Sequence, residues 1–279
     1  MDEHRQRPSV RAVVARIVKP LVVALVVVAL IKLFVLEAYR IPSGSMERTL
    51  VPGDFVLVNK LAFGLRTPAE IPFVGLRTSA LTLVPGKDVR RGDVVVFSFS
   101  KAVPGSALPR GAKLVKRVVG LPGDTVLVAG SDIRINGQSL RVSDQTRMMP
   151  QRRASRQARW SGPVVVPRQG QRIDLSGEHL ARWADIIRDE GHEVALSYDG
   201  RILIDGESRE EYTVERNYYY VLGDNLNNSF DSRYWGFVSD RDLIGEVLMI
   251  YWSWRPGSSP EALSAIPSIR WERIGSLVQ

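Results

Sequence analysis

Arg91-Gly92-Asp93-Val94-Val95-Val96-Phe97-Ser98-Phe99 decides the fold class, because a glycine-containing turn opens directly into a short run of β-branched and aromatic residues. The same pattern recurs outward in both directions. Residues 54–59 (DFVLVN) follow Pro52-Gly53, residues 113–119 (KLVKRVV) run towards Pro122-Gly123-Asp124, and residues 246–252 (EVLMIYW) form the last such run. Asn136-Gly137 and Asp199-Gly200 add two more turns. Short Val- and aromatic-rich runs between such turns predict a mainly β domain, Greek-key or β-barrel-like. Residues about 126–212 read as an inserted smaller subdomain, with a strand at 132–136, an arginine-rich stretch, a helix at 177–189 and a hairpin around Asp199-Gly200.

Residues 21–36 (LVVALVVVALIKLFVL) hold a single non-apolar residue, Lys32, and Ile17 and Val18 extend the run. At about 1.5 Å per residue, twenty residues match a bilayer core of about 30 Å. The expectation is one transmembrane helix over 20–37, with Lys32 reaching the interface along its aliphatic stem. No small-residue cleavage site follows it, which argues against a removed signal peptide. Residues 1–19 form a basic tail, with Arg5, Arg7, Arg11, Arg16 and Lys19 against Asp2 and Glu3. Charge after the span is balanced, so the tail is expected in the cytoplasm and residues 38–279 outside it.

Composition narrows the chemistry. The 279 residues contain no cysteine, which excludes disulfides, a thiol nucleophile, thiolate zinc and iron–sulfur clusters. Only His4, His179 and His192 are available, too few for a three-histidine metal site. The net charge of +8 is concentrated: Arg141 to Arg172 carries eight arginines against Asp144 alone, and the rest of the chain outside the tail is slightly acidic. A uniformly cationic nucleic-acid binder is therefore disfavoured. The arginine block reads as a solvated loop, with anionic lipid headgroups as its functional alternative.

Just past the apolar run lies Arg40-Ile41-Pro42-Ser43-Gly44-Ser45-Met46-Glu47-Arg48-Thr49-Leu50, where a serine would act at the membrane surface. Serine needs a base to become a nucleophile. Histidine is a poor candidate, since His4 precedes the span and His179 and His192 fall in the insertion. Lysine serves if burial lowers its pKa. In the run 113–119, period two places Leu114, Lys116 and Val118 on one face, so Lys116 sits on the more apolar side. Lowering such an amine from about 10.4 to about 8 takes about 3.3 kcal/mol of differential desolvation, within the range of buried lysines.

Four ordered blocks then resemble the bacterial type I signal peptidases, the membrane-bound Ser/Lys endopeptidases. They are the segment 41–50 with its Pro-Ser-Gly-Ser-Met core, residues 91–97, residues 116–124, and residues 223–236, with Arg270-Trp271-Glu272-Arg273-Ile274-Gly275 resembling the family's ending. The resemblance implies that Ser45 is the nucleophile and Lys116 the neutral general base. It implies that Ser43 helps form the oxyanion hole with the Ser45 backbone N–H, a contribution of about 3 kcal/mol per donor. Ser229 would orient the Lys116 amine by hydrogen bonding, with Asp231 and Arg233 as a supporting ion pair. Ile41, Leu50, Leu114 and Val115 are the candidate walls of a small pocket for Ala-x-Ala substrates. By the same resemblance the partners are signal-peptide-bearing preproteins and membrane lipid, no cofactor or metal is needed, and the site of action is the outer face of the bacterial cytoplasmic membrane.

Two departures stand out. Leu226-Asn227 replaces a common Arg-Asp, removing a local ion pair, and Arg48 replaces a common proline, loosening the turn after Ser45. Two other functions compete: a narrow-substrate maturation peptidase of the same superfamily, and a non-catalytic membrane-tethered binding module.

Overall fold

The computed structural model describes residues 10–66, 82–99, 108–109, 111–130, 132–140, 160–175, 180–198, 201–255 and 269–278. Most of the arginine block, the first nine residues and the Asp199-Gly200 turn lie outside the described residues.

Helix α1 (Val10–Phe34) carries Pro20 inside it. Leu36 and Glu37, expected at the helix end, instead begin a strand, β1 (Leu36–Arg40). Along α1 the side chains of Leu21, Val22, Val23, Leu25, Val28 and Leu30 are all exposed. Among the described residues, no helix is long and apolar enough to cross a membrane.

Beyond α1 the chain is mainly β. The principal sheet contains β1, β2 (Asp54–Asn59), β3 (Val94–Phe99), β4 (Ala112–Gly120), β5 (Tyr218–Leu222), β6 (Val238–Ser239) and β7 (Leu243–Ser253). Their order is β1-β2-β7-β3-β4-β5-β6, and the pairings are antiparallel. With the insertion set aside, β3, β4, β5 and the two-residue β6 are consecutive neighbours, and β7 returns across them to lie beside β3, a Greek-key-like return with one extra short strand. Among the described residues β1 and β6 remain separate edges, so the hydrogen-bonded sheet is open and not a closed barrel.

The continuous apolar run of β3 is explained by cover on both faces. Val95, Phe97 and Phe99 pack with Val118, Val221 and Trp235 on one side. Val94 and Val96 pack with Ile41, Met46, Leu50, Val56 and Val58 on the other. Burial of each such side chain contributes about 1.5–3 kcal/mol. The second group fixes the segment after β1, because Ile41, Met46 and Leu50 bracket Ser45 and all three are buried.

Residues 121–217 lie between β4 and β5 and contain the stretch at about 126–212 read as an insertion. This segment has its own core, in which Val126, Ile133, Ile187 and Val214 pack against Tyr218, Tyr220 and Leu222 of β5. Helix α2 (Leu180–Asp189) lies within the helical stretch expected there. Val194–Leu196 pairs antiparallel with Ile202–Ile204, flanking the expected hairpin, and Ile202–Ile204 pairs onward with Glu207–Ser208 through Asp205-Gly206. That second turn is an Asp-Gly hairpin signal that the sequence reading passes over.

Candidate active site

Ser45 occupies a single 3-10 turn, Gly44–Met46, held to the sheet by Met46 below it and by Ile41, whose N–H donates to the Asp54 carbonyl at 2.8 Å. Lys116 lies in β4 opposite Val95 of β3. Its Nζ donates to Ser45 Oγ at 2.7 Å. Ser45 is 9% exposed and Lys116 4%. Among the described residues no carboxylate lies within ion-pair distance of Lys116. Burial therefore pushes its amine down to about 8; the more distant Asp231 and Asp224 oppose the shift and Arg233 assists it. A lysine with that pKa has an appreciable neutral fraction near pH 7, and a neutral amine 2.7 Å from a hydroxyl can accept its proton.

Arg117, the next residue, points to the opposite face and carries a buried network that sequence reasoning missed. Its Nε and Nη2 donate to Asp224 Oδ1 and Oδ2, each at 2.8 Å, and its Nη1 donates to the Gly92 carbonyl at 2.7 Å. Both residues stand in the blocks already singled out. The only sequence signal was the parity of β4, which places the second cation away from the first.

Asp231 and Arg233 form a bidentate pair at 2.8 and 3.0 Å, and Arg233 is fully buried. Asp231 caps the short helix α3 (Ser232–Trp235) and accepts from the Gly223 N–H at 3.1 Å. Arg233 Nη2 donates to the Leu226 carbonyl at 2.8 Å and the Ser229 carbonyl at 3.2 Å. The pair thus fastens the 223–229 loop against the Ser45 turn. Asn225 N–H completes the junction by donating to the Ser45 carbonyl at 3.0 Å.

Ser229 is placed differently from expectation. It is 8% exposed, yet among the described residues its Oγ has no hydrogen-bond partner, and the bond expected to Lys116 is not formed. A Cβ added at Gly223 would lie 2.2 Å from Ser229 Oγ and 2.5 Å from the Ser45 carbonyl oxygen, so only glycine lets these chains approach. Ser43 is exposed beside the turn and its side chain makes no capping hydrogen bond. Of the four candidate wall residues, Leu114 and Val115 keep partial exposure, whereas Ile41 is almost wholly buried and Leu50 has no exposed surface. Leu50 can support a pocket from behind but cannot line it.

The two departures also read differently in three dimensions. Arg48 has φ 102°, a value closed to proline, so the turn is a distinct backbone and not a loosened proline turn. Leu226 is buried in the core shared with the insertion, and its carbonyl anchors Arg233.

The family model described as "Signal peptidase, peptidase S26" matches residues 14–252. The chain belongs to this signal peptidase family. It is 31% identical to signal peptidase I of Pseudomonas aeruginosa, a match covering 82% of this chain and 69% of the relative. Signal peptidase I of Pseudomonas fluorescens is also 31% identical, with 90% and 75% covered, and that of Buchnera aphidicola subsp. Baizongia pistaciae is 29% identical, with 91% and 80% covered. The chain is accordingly an enzyme of the type I signal peptidase group. In this signal peptidase the separate sequence blocks meet in space: 41–50 supplies Ser45, 116–124 supplies Lys116 and Arg117, and 223–236 bonds to Arg117 through Asp224 and to Ser45 through Asn225.

Proposed function

We propose that the protein cleaves N-terminal signal peptides from exported preproteins after Ala-x-Ala-type sites by a Ser45/Lys116 dyad. One observation carries this reading: a buried lysine amine, without an ion-pair partner among the described residues, 2.7 Å from a serine hydroxyl. Neutral Lys116 removes the proton as Ser45 Oγ attacks the scissile carbonyl. The negative charge that develops on the carbonyl oxygen is met by the Ser45 N–H and the Ser43 hydroxyl. The Lys116 ammonium then protonates the leaving amine, which departs and leaves an acyl-Ser45 ester. Lys116, neutral again, takes a proton from water as its oxygen attacks the ester carbonyl; the resulting ammonium returns that proton to Ser45 Oγ as the acyl–oxygen bond breaks, releasing the acid product and restoring Ser45.

Leu114 and Val115, partly exposed on β4 beside Lys116, suit small substrate side chains at the cut. The exposed apolar side chains of α1 support an anchor in the bacterial cytoplasmic membrane, with the basic tail in the cytoplasm and the catalytic domain outside. That side of the membrane is where signal peptides of exported chains become accessible.

The test is cleavage of an Ala-x-Ala preprotein in detergent–lipid mixtures by the wild type, Ser45→Ala and Lys116→Ala, with circular dichroism confirming that all are folded. Only the wild type is expected to cut. Equal cutting by all three would overturn the site assignment. Sedimentation of the chain with membranes after alkaline extraction tests the anchor, and release into the supernatant would refute it.

A further inference from the structure

The turn that carries Ser45 is short and costly to hold. It is one 3-10 turn of three residues, followed by Arg48 in the left-handed region with φ 102°. Thr49 ends this turn and is fastened from several sides. Its N–H donates to the Met46 carbonyl at 3.1 Å. Its Oγ1 donates to Asp224 Oδ2 at 2.5 Å and accepts from Arg117 Nη2 at 3.0 Å, so one hydroxyl closes a ring with the bidentate Arg117–Asp224 pair. Its carbonyl accepts from Arg273 Nη2 at 2.9 Å, and Arg273 is itself held on Asp54 at 2.7 Å.

The partners of that hydroxyl flank the reacting groups. Arg117 follows Lys116 on β4, and Asp224 precedes Asn225, whose N–H holds the Ser45 carbonyl at 3.0 Å. The Thr49 hydroxyl therefore ties the turn of the nucleophile to the strand of the base and to the loop whose Asn225 holds the Ser45 carbonyl. We propose that Thr49 is a positioning residue that sets the Ser45–Lys116 separation, with Arg273 of the C-terminal segment bracing the same residue from outside. Thr49 touches neither Oγ of Ser45 nor Nζ of Lys116, and it acts through the backbone of the turn. The proposal rests on the Ser45/Lys116 reading.

Thr49→Val keeps the side-chain shape and removes both hydrogen bonds, and the Arg117–Asp224 pair still neutralises the buried charges. The expected result is a fall in kcat of about 10- to 100-fold, from misplacement of the nucleophile, with KM changed less than about two-fold. Thr49→Ser, which restores the hydroxyl, is expected to recover most of kcat. A residue that only supports global stability would lower the melting temperature and leave kcat intact at a temperature where the protein is folded. Should Thr49→Val fail to fold, Thr49→Ala carries the same comparison with Thr49→Ser. The proposal is overturned if a folded variant lacking the hydroxyl retains wild-type kcat, or if Thr49→Ser is as impaired as Thr49→Val. A Ser45→Ala control separates the two levels, because cutting by that variant sinks the dyad itself, whereas wild-type kcat in Thr49→Val sinks only the role of Thr49.

Discussion

The two faces of β4 bury adjacent cations in opposite ways. On one face Arg117 is matched by a bidentate carboxylate, a threonine hydroxyl and a backbone carbonyl, so its charge is compensated bond by bond. On the other, Lys116 is equally buried and, among the described residues, receives a single serine oxygen. The carboxylates nearest to Lys116, Asp231 and Asp224, are already engaged by Arg233 and Arg117. The difference teaches how a fold keeps a lysine partly neutral near neutral pH: it spends its buried acids on arginines, which do not give up their protons, and leaves the lysine to be desolvated.

Substitutions on the two faces should therefore have opposite signs. Lys116→Met is expected to abolish cleavage, by more than about 1000-fold, while raising stability at pH 7 by up to about 3 kcal/mol, because a charged amine no longer has to be buried. Arg117→Met should lower stability by about 3–5 kcal/mol, since it strands Asp224. Chemical denaturation of both variants checks the pair, and destabilisation by Lys116→Met would break the comparison.

The pH dependence sharpens it. Between pH about 8 and about 10.5 the unfolded chain keeps the Lys116 proton that the folded chain has released. Wild-type stability should thus gain a rising contribution across that window, and the contribution should vanish in Lys116→Met. Gly223→Ala comes next, pressing a methyl group against Ser229 and the Ser45 carbonyl. It should cost about 100-fold in kcat/KM with both cations in place. The smallest effect is expected at His192 in the insertion, where hydrogen bonds donated to Asp205 and then Glu215 hold the imidazole above its ordinary 6.5. That exposed cluster stabilises below pH about 6.5, and the stabilisation fades as pH rises through the folded value. His192→Gln should leave cleavage unchanged, and altered kinetics would show that the insertion communicates with the site.

Much of the sheet was legible because its strands are continuous apolar runs opened by Gly-containing turns; residues 54–59 match β2 residue for residue. The strand order was not, since the insertion of β7 between β2 and β3 is a long-range pairing that local pattern does not encode. The burial of Lys116 was legible through strand parity, which needs only neighbours in sequence, whereas its role as base came from the family resemblance. The Arg117–Asp224 pair joins residues 107 apart, and the close approach at Gly223 depends on three segments meeting. Neither leaves a periodic trace. Sorting the tryptophans also needed the fold: Trp235 is buried against Phe97 and Phe99, whereas Trp271 is largely exposed. At Ser229 and Leu50 the block was legible but the side-chain contacts were not: among the described residues Ser229 Oγ makes no hydrogen bond, and Leu50 has no exposed surface.

The central claim is that burial, without a paired acid, holds Lys116 ready to act as a base. The most direct measurement is an NMR titration of the lysine side-chain Cε resonances in the folded enzyme, with Lys116→Met identifying the Lys116 signal. The account predicts a titration midpoint of about 8 for Lys116, well below the other lysines. A midpoint above about 10, the ordinary lysine range, would contradict it.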